Sequence, residues 1–211
     1  MSPAALEHLR AQDPVMAGLI ARLEPCELKP IPRRSPFESL VRAVAHQQLH
    51  GKAADTILKR FIALVPGRRF PRPEDVLKLS EESLRAAGFS RGKIAAIHDI
   101  ARRTIAGVVP TGRTLSQWSD DEIVERLTQC RGIGRWSVEM LLIFKLARPD
   151  VLPVDDFGVR DGFRAAYGRA TAPKPKELLE FGERWRPHRT TASWYLWRAA
   201  DQAKRVSAPT Q

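Results

Sequence analysis

An all-helical chain folded as two lobes is what the sequence predicts, and three observations carry that reading. Apolar residues recur at helical spacing almost everywhere, as in Leu40, Val41, Val44, Ala45 and Leu49, and again in Ile57, Leu58, Phe61, Ile62 and Leu64. The breaks between these runs are short and made of turn residues. Two longer breaks, 25–36 and 147–155, combine proline with charge and lack periodicity, so they read as crossings between lobes. Residues 1–34 and 149–211 then form one discontinuous lobe and 35–148 the other, with a functional site expected in the cleft between them.

Taken in order, helices are expected at about 3–12, 14–24, 36–48, 51–64, 74–79, 81–87, 91–107, 120–128, 135–146, 156–166, 175–184 and 188–203. Pro25, Pro30 and Pro32 stop the second. Ser35, Pro36 and Glu38 start the third as N-cap, first-turn proline and a carboxylate three residues on. Pro66-Gly67 closes the fourth, Pro71 and Pro73 precede the fifth, and Gly88 ends the sixth. Pro110 to Gly112 reads as a break after the seventh, and Pro149 to Pro153 as the return crossing.

The 211 residues are 43% hydrophobic and 28% charged, enough to bury a core and unlike a disordered chain. Thirty-five Lys and Arg against 24 Asp and Glu leave a formal charge of +11. Such an excess favours a polyanionic partner, nucleic acid or an anionic membrane surface, and ribosomal proteins share it. No run reaches the roughly 18 apolar residues of a membrane span, and MSPAALEHLR lacks a signal peptide's apolar stretch. A soluble cytoplasmic protein with no membrane partner is expected. Cys26 and Cys130 are too few for a four-cysteine zinc or iron–sulfur site and are expected to pack as small hydrophobes.

Between Leu127 and Leu146 the helical pattern stops at Gln129, passes through Arg131-Gly132-Ile133-Gly134-Arg135 and resumes at Trp136. The segment, about 120–146, is a glycine hairpin joining two helices. Gly132 and Gly134 permit positive φ and close backbone approach, so N–H groups at the start of the second helix can face an anion. Arg131 and Arg135 add charge, and Ile133 is placed to plug back between the helices. A plain turn between antiparallel helices leaves the same spacing. The basic flanks favour a nucleic-acid phosphate, gripped without regard to base sequence and with strong salt dependence.

Farther on, Pro153-Val154-Asp155-Asp156-Phe157 puts two adjacent carboxylates at a helix start. One suffices as a cap, which leaves a catalytic carboxylate and plain capping both open.

Three ordered segments, RGIGRW, PVDDFGVR and ERWRPHRTTASWYLWR, resemble the alkylpurine (3-methyladenine) DNA glycosylases of the helix-hairpin-helix glycosylase superfamily, over residues 36–203. The resemblance implies a monofunctional base excision repair enzyme. It would flip alkylated purines such as 3-methyladenine and 7-methylguanine from duplex DNA and hydrolyse the N-glycosidic bond. It carries the catalytic role to Asp156, twenty residues after Trp136, although the superfamily's Val-Asp register selects Asp155, kept as helper or cap. Members with lyase activity have a lysine where this chain has Trp136, so no lyase activity is implied. The alternatives are a glycosylase for deaminated, oxidised or etheno bases, and a non-catalytic DNA-binding module, which needs no acid pair.

The resemblance also places Trp136 and Trp197 on the wall of the base pocket, where an indole face favours a cationic alkylpurine by about 0.5–2 kcal/mol. Without it, Trp194 and Trp197 read as core packing on the last helix. Met140, at a position often aromatic in relatives, is expected to soften a third wall. Within Ala45-His46-Gln47-Gln48-Leu49-His50-Gly51, Gln48 or Leu49 is the expected wedge into the gap left by the flipped base. An ordinary helix corner, with His46 and His50 as surface or capping residues, is the alternative. Arg91 and Lys93 open a basic helix and suit another phosphate contact or a solvated charged face. Arg184, Arg186 and Arg189 around Trp185 serve DNA or packing. No metal-ligand set and no organic cofactor is expected; a monovalent cation at the hairpin, common in the superfamily, leaves no mark in the sequence. The expected partner is duplex DNA containing damaged bases, met by a monomer associated with a bacterial-type nucleoid during repair.

Overall fold

The structure, a computed structural model, describes residues 3–23, 25–49 and 51–207. Two short helices open the chain, α1 (Pro3–Gln12) and α2 (Pro14–Arg22). Eight follow: α3 (Pro36–His46), α4 (Gly51–Ala63), α5 (Pro73–Lys78), α6 (Glu81–Ala87), α7 (Arg91–Ile105), α8 (Gly112–Gln117), α9 (Asp120–Leu127) and α10 (Arg135–Phe144). The last are α11 (Phe157–Ala166), α12 (Pro175–Phe181), a 3-10 turn at Gly182–Trp185, and α13 (Arg189–Ser207). No strand occurs among the described residues, so the chain is all-helical as expected. No described helix is long and apolar enough to cross a membrane.

Three departures from the expected elements have local causes. Residues 112–117, read as a break, form α8: the Thr111 hydroxyl accepts from the Thr114 N–H at 3.3 Å and caps it. Gly112 is that helix's first residue, where its low helix propensity costs little. α3 ends at His46 because Gln48 turns left-handed, at φ 57°. α13 runs on to Ser207, beyond the expected end at 203.

By its contacts the chain divides into a terminal unit, Met1–Pro30 with Ala147–Gln211, and a central unit, Ile31–Leu146. The crossings precede the expected 34/35 and 148/149. The Ile31 N–H donates to Phe144 O at 2.7 Å and Lys145 Nζ to Pro32 O at 2.8 Å, which ties the entering chain to the end of α10.

In the central unit α3 to α10 close over a core that includes Leu40, Val44, Phe61, Ile97 and Leu142. The α3 start is built as its sequence signals: Ser35 Oγ accepts from the Glu38 N–H at 3.0 Å. The Glu38 carboxylate turns instead to Arg42, at 2.9 Å.

The terminal unit packs Leu9, Met16, Leu19, Phe163, Trp185 and Tyr195 together. Asp13 sits in this core at 1% exposure, where it caps α2 through the N–H groups of Val15 and Met16. It also accepts from the Trp185 indole at 2.9 Å and from the Tyr167 hydroxyl. Arg189 grips Asp150 through two bonds, at 2.8 and 3.0 Å, and Arg186 adds a third at 2.9 Å. Arg184 lies 3.8 Å from the centre of the Phe181 ring. Of the three, Arg189 is buried on its acid partner, while Arg184 and Arg186 stay exposed beside a half-buried ring and a half-buried acid.

The closest crossing in this unit is between α11 and α13. A Cβ added to Gly162 would stand 1.8 Å from the Leu196 carbonyl oxygen, so the helices meet backbone to backbone. Gly162→Ala is expected to destabilise the protein by about 3 kcal/mol, the upper end for overpacking against an unyielding neighbour, measured as a lower urea midpoint.

Candidate functional site

The acid pair occupies the turn that starts α11. The Asp156 N–H donates to Pro153 O at 3.0 Å, which closes the turn, and Phe157 is the first helical residue. Asp156 is the N-cap: its Oδ1 accepts from the Val159 N–H at 2.8 Å. Oδ1 also accepts from Trp197 Nε1, at 2.8 Å. Asp155 was the expected helper or cap, and the cap part of that expectation is corrected. The helix begins one residue later than a cap at 155 requires, and Asp155 is exposed.

Trp197 packs against the terminal-unit core, as the spacing with Trp194 leads one to expect, and its indole N–H also donates to a carboxylate, a contact the sequence did not foretell. Gly158 makes this possible. A Cβ there would lie 2.9 Å from Trp197 Cδ1 and 3.1 Å from Asp156 Oδ1. The glycine in the first turn after the acid pair was its only sequence signal, and the role went unread.

At the hairpin the two glycines do different work. Gly132 has φ +74°, and a Cβ on it would meet Ala96 Cβ at 2.8 Å. Gly134 has an ordinary φ of −95° and caps α10 without a side-chain bond. Nothing lies within 4 Å of where its Cβ would be. Positive φ and close internal approach, expected of both, therefore belong to Gly132 alone; Gly134 leaves the first turn of α10 uncovered. Ile133 is buried, as its plug role requires, so its side chain is not the DNA contact expected of it; only its backbone remains at the turn. Arg131 and Arg135 are exposed. The Arg131 N–H is held by Asp99 Oδ2 at 2.9 Å, and Arg135 lies 3.2 Å from Glu139.

Gln48 and Leu49 project from the end of α3, with Leu49 40% exposed. Their neighbour Gln47, overlooked in the sequence, bolts this turn to the hairpin. Its Nε2 donates to Gly132 O at 2.8 Å and to Ser137 Oγ at 3.1 Å. Lys93 adds a second tie, donating to Ala45 O at 2.9 Å and Gln47 O at 2.8 Å. The phosphate contact expected of Lys93 is corrected: its ammonium caps the carbonyl end of α3, where the partial negative charge favours a cation. Burial in that position lowers its pKa. Arg91 stays highly exposed, 3.6 Å from Glu81. His50 lies outside the described residues.

Trp136 and Met140 line a cavity of about 300 Å³ inside the central unit, together with Ala43, His46 and Asp55. That volume is at the lower end for small-ligand pockets. Arg34, Arg42 and Lys145 also reach its wall. Burial lowers the His46 pKa, against the opposing pull of Asp55 3.6 Å away, so this imidazole is neutral at pH 7. No three His, Cys, Asp or Glu side chains come together as a metal site among the described residues. Burial raises both thiols to about 11, so Cys26 and Cys130 are chemically quiet. At the hairpin, Cys130 O accepts from the Ile133 N–H and Gly132 O from Gln47. Each carbonyl keeps a second lone pair, so these are backbone oxygens that a monovalent cation would have to share with the bonds they already accept.

Residues 41–187 match the model of the HhH-GPD superfamily of base excision DNA repair proteins. DNA-3-methyladenine glycosylase 1 of Schizosaccharomyces pombe is 45% identical over 171 residues, covering 81% of this chain and 75% of that protein. Among solved structures, the 3-methyladenine DNA glycosylase of the same yeast in complex with abasic DNA superposes with TM-score 0.87 at 39% identity, covering 99% of this chain and all of that one. A DNA-3-methyladenine glycosidase from Bacillus halodurans follows, with TM-score 0.82 and 35% identity over 97% of this chain and 92% of its own.

Gly158→Ala is expected to push the indole off the carboxylate. The Trp197 Nε1 proton resonance should move upfield as that hydrogen bond lengthens, with a stability loss of about 1 kcal/mol. At the hairpin, Gly132→Ala should cost about 2 kcal/mol or more in urea unfolding, because it adds left-handed strain to a clash. Gly134→Ala should stay within about 0.5 kcal/mol of wild type in the same measurement.

Proposed function

Because the chain belongs to the HhH-GPD superfamily of base excision DNA repair proteins, we propose that it is a DNA glycosylase that excises alkylated purines, 3-methyladenine and 7-methylguanine among them, from duplex DNA. The observation that carries this reading is the Asp156 carboxylate, held in one orientation by the Trp197 indole and the Val159 N–H. The Val159 bond is a helix cap that any fold could use; the indole N–H is the additional bond that a plain cap does not need and that a DNA-binding module gives no reason for.

The chemistry follows from the leaving group. An N-alkylated purine carries positive charge, so its C1′–N bond breaks with the electron pair passing to the base, which departs neutral. The sugar is left as an oxocarbenium ion. Asp156 stabilises that cation by charge and orients the water that adds at C1′, whose proton passes to the carboxylate or to solvent. No general acid is required. The products are the free base and an abasic site. With Trp136 at the position where a lysine would form a Schiff base, the abasic strand stays intact.

The hairpin supplies grip. The uncovered first turn of α10 offers backbone N–H groups to a phosphate, flanked by Arg131 and Arg135. Gln48 or Leu49, exposed beside it, fills the stack when a base leaves. Trp136 supplies a stacking face for the flipped base, with Met140 as a softer wall. The protein acts as a monomer on chromosomal DNA.

A second substrate class is favoured by one observation. Arg34, Arg42 and Lys145 on the wall of the Trp136 cavity oppose a cationic base and stabilise negative charge developing on a neutral one. Neutral lesions, etheno or deaminated purines, are therefore within reach at a lower rate.

The test is release of free bases from a randomly methylated duplex, identified by mass. Asp156→Asn should lower 3-methyladenine and 7-methylguanine release at least about 100-fold while duplex binding persists, since Asn caps a helix as well as Asp does. Undiminished release from the variant would move the role away from Asp156. Release confined to a panel of etheno, deaminated and oxidised bases would establish the second class instead.

A further inference from the structure

The central unit holds a second and larger concavity that the excision chemistry does not use. It has a volume of about 1080 Å³ and opens at the Lys145 end of α10, away from the hairpin at Arg135. α10 has 10 residues, so the two features stand about 15 Å apart along its axis. The Trp136 cavity lies between them and shares Arg34 and Lys145 with the groove.

The groove's lining is strongly cationic. It carries Arg33, Arg34, Arg68, Arg69, Arg72 and Arg126, with Lys145 at its base. Glu38 is the one carboxylate on the wall, and it is engaged by Arg42 at 2.9 Å and Arg34 at 3.7 Å. With Arg34 paired to Glu38, two further cations are accounted for: Arg68 pairs with Asp75 at 2.8 Å, and Lys145 is held by Pro32 O. Arg33 and Arg69 are exposed and form no ion pair among the described residues. The charges press on one another. Burial lowers the Arg34 pKa, and the neighbouring Arg42 and Arg69 lower it further against the pull of Glu38. Phe70 and Trp118 add ring faces, with Arg126 4.4 Å from the Trp118 ring. Uncompensated like charge in an open trough costs free energy that an anion recovers.

We infer that this groove is a second binding site for a phosphodiester backbone, and that it holds a DNA segment other than the one carrying the lesion. The reasoning rests on the glycosylase reading above. A duplex gripped at the hairpin swings its damaged base away from its own axis, toward Trp136. What lies past that cavity is farther still from the same duplex. An open trough rather than a closed pocket suits a polymer that enters and leaves at both ends, and ring faces beside arginines suit sugar and base edges. A protein with two such sites passes from one segment to another without release.

The experiment uses the full chain and the double variant Arg33→Glu with Arg69→Glu, both residues outside the excision machinery. Two undamaged duplexes carrying donor and acceptor dyes report bridging by energy transfer. Wild type should bridge them, and the variant should not. The slope of log affinity against log salt should fall by about 2, since each phosphate left without its arginine removes roughly 0.9. Single-turnover release of 3-methyladenine should be unchanged. Arg33→Gln with Arg69→Gln, which adds no charge, should give the same direction of loss at an unaltered melting temperature. Failure of wild type to bridge, or equal bridging and equal slopes for wild type and variant, overturns the inference. Saturable binding of inorganic phosphate at Arg33 and Arg69 with no bridging would replace it by a small phosphorylated ligand. Loss of base release in wild type would instead strike the glycosylase reading and leave the bridging result to stand by itself.

Discussion

The backbone-to-backbone approach of α11 and α13 governs how the Asp156 carboxylate is held in this protein. Gly158 and Gly162 are four residues apart and share one face of α11. At Gly162 the Leu196 carbonyl comes within what would be bonding distance of a side chain, and one residue farther along α13 is Trp197. The depth of that crossing sets how far the indole reaches over the α11 start, and so whether its N–H meets Asp156. The cap bond from the Val159 N–H then fixes the carboxylate from the other side. Two glycines, a helix end and an indole form one device, in which packing decides the placement of a charge.

The central unit solves a different problem, the presentation of backbone. Gly132 closes the hairpin tightly against α7, where Ala96 leaves no room for a side chain, and Ile133 anchors the turn from within. Asp99 on α7 holds the Arg131 N–H and pairs with Arg103 one turn along, so the same helix that packs on Gly132 also braces the hairpin through a hydrogen bond. The positive charge of the chain is unevenly used. In the terminal unit Arg186 and Arg189 are neutralised by Asp150 and Glu183. In the central unit Arg33 and Arg69 have no such acid, and the excess that the composition records is concentrated there.

Much of this is legible in the chain before it folds. Helical spacing points to the all-helical class, Ser35 and Pro36 mark the start of α3, and the glycine hairpin stands out because G-x-G interrupts two apolar runs. The resemblance singles out Asp156 and Trp197, which the structure joins by one hydrogen bond. What could not be read depends on partners remote in sequence. Lys93 looks like a helix-start cation until the carbonyl end of α3, 46 to 48 residues away, is folded beneath it. Gln47 is an ordinary polar residue at a helix end until Gly132 arrives 85 residues later. Gly134 and Gly132 look alike in the sequence, and only the folded turn distinguishes them, by the left-handed backbone at Gly132 and its neighbour at Ala96. α8 was hidden because proline and glycine, taken as breakers, are both tolerated at a helix start.

The Gln47 amide makes the hairpin and the turn carrying Gln48 and Leu49 a single stiff piece. If, as proposed above, that turn enters the base stack while the hairpin clasps a strand, the entering side chain would keep a constant offset from the strand. The tie would then act as a ruler, presenting each nucleotide to the probing residue at the same station, so that a weak pair would betray itself by yielding where its neighbours resist.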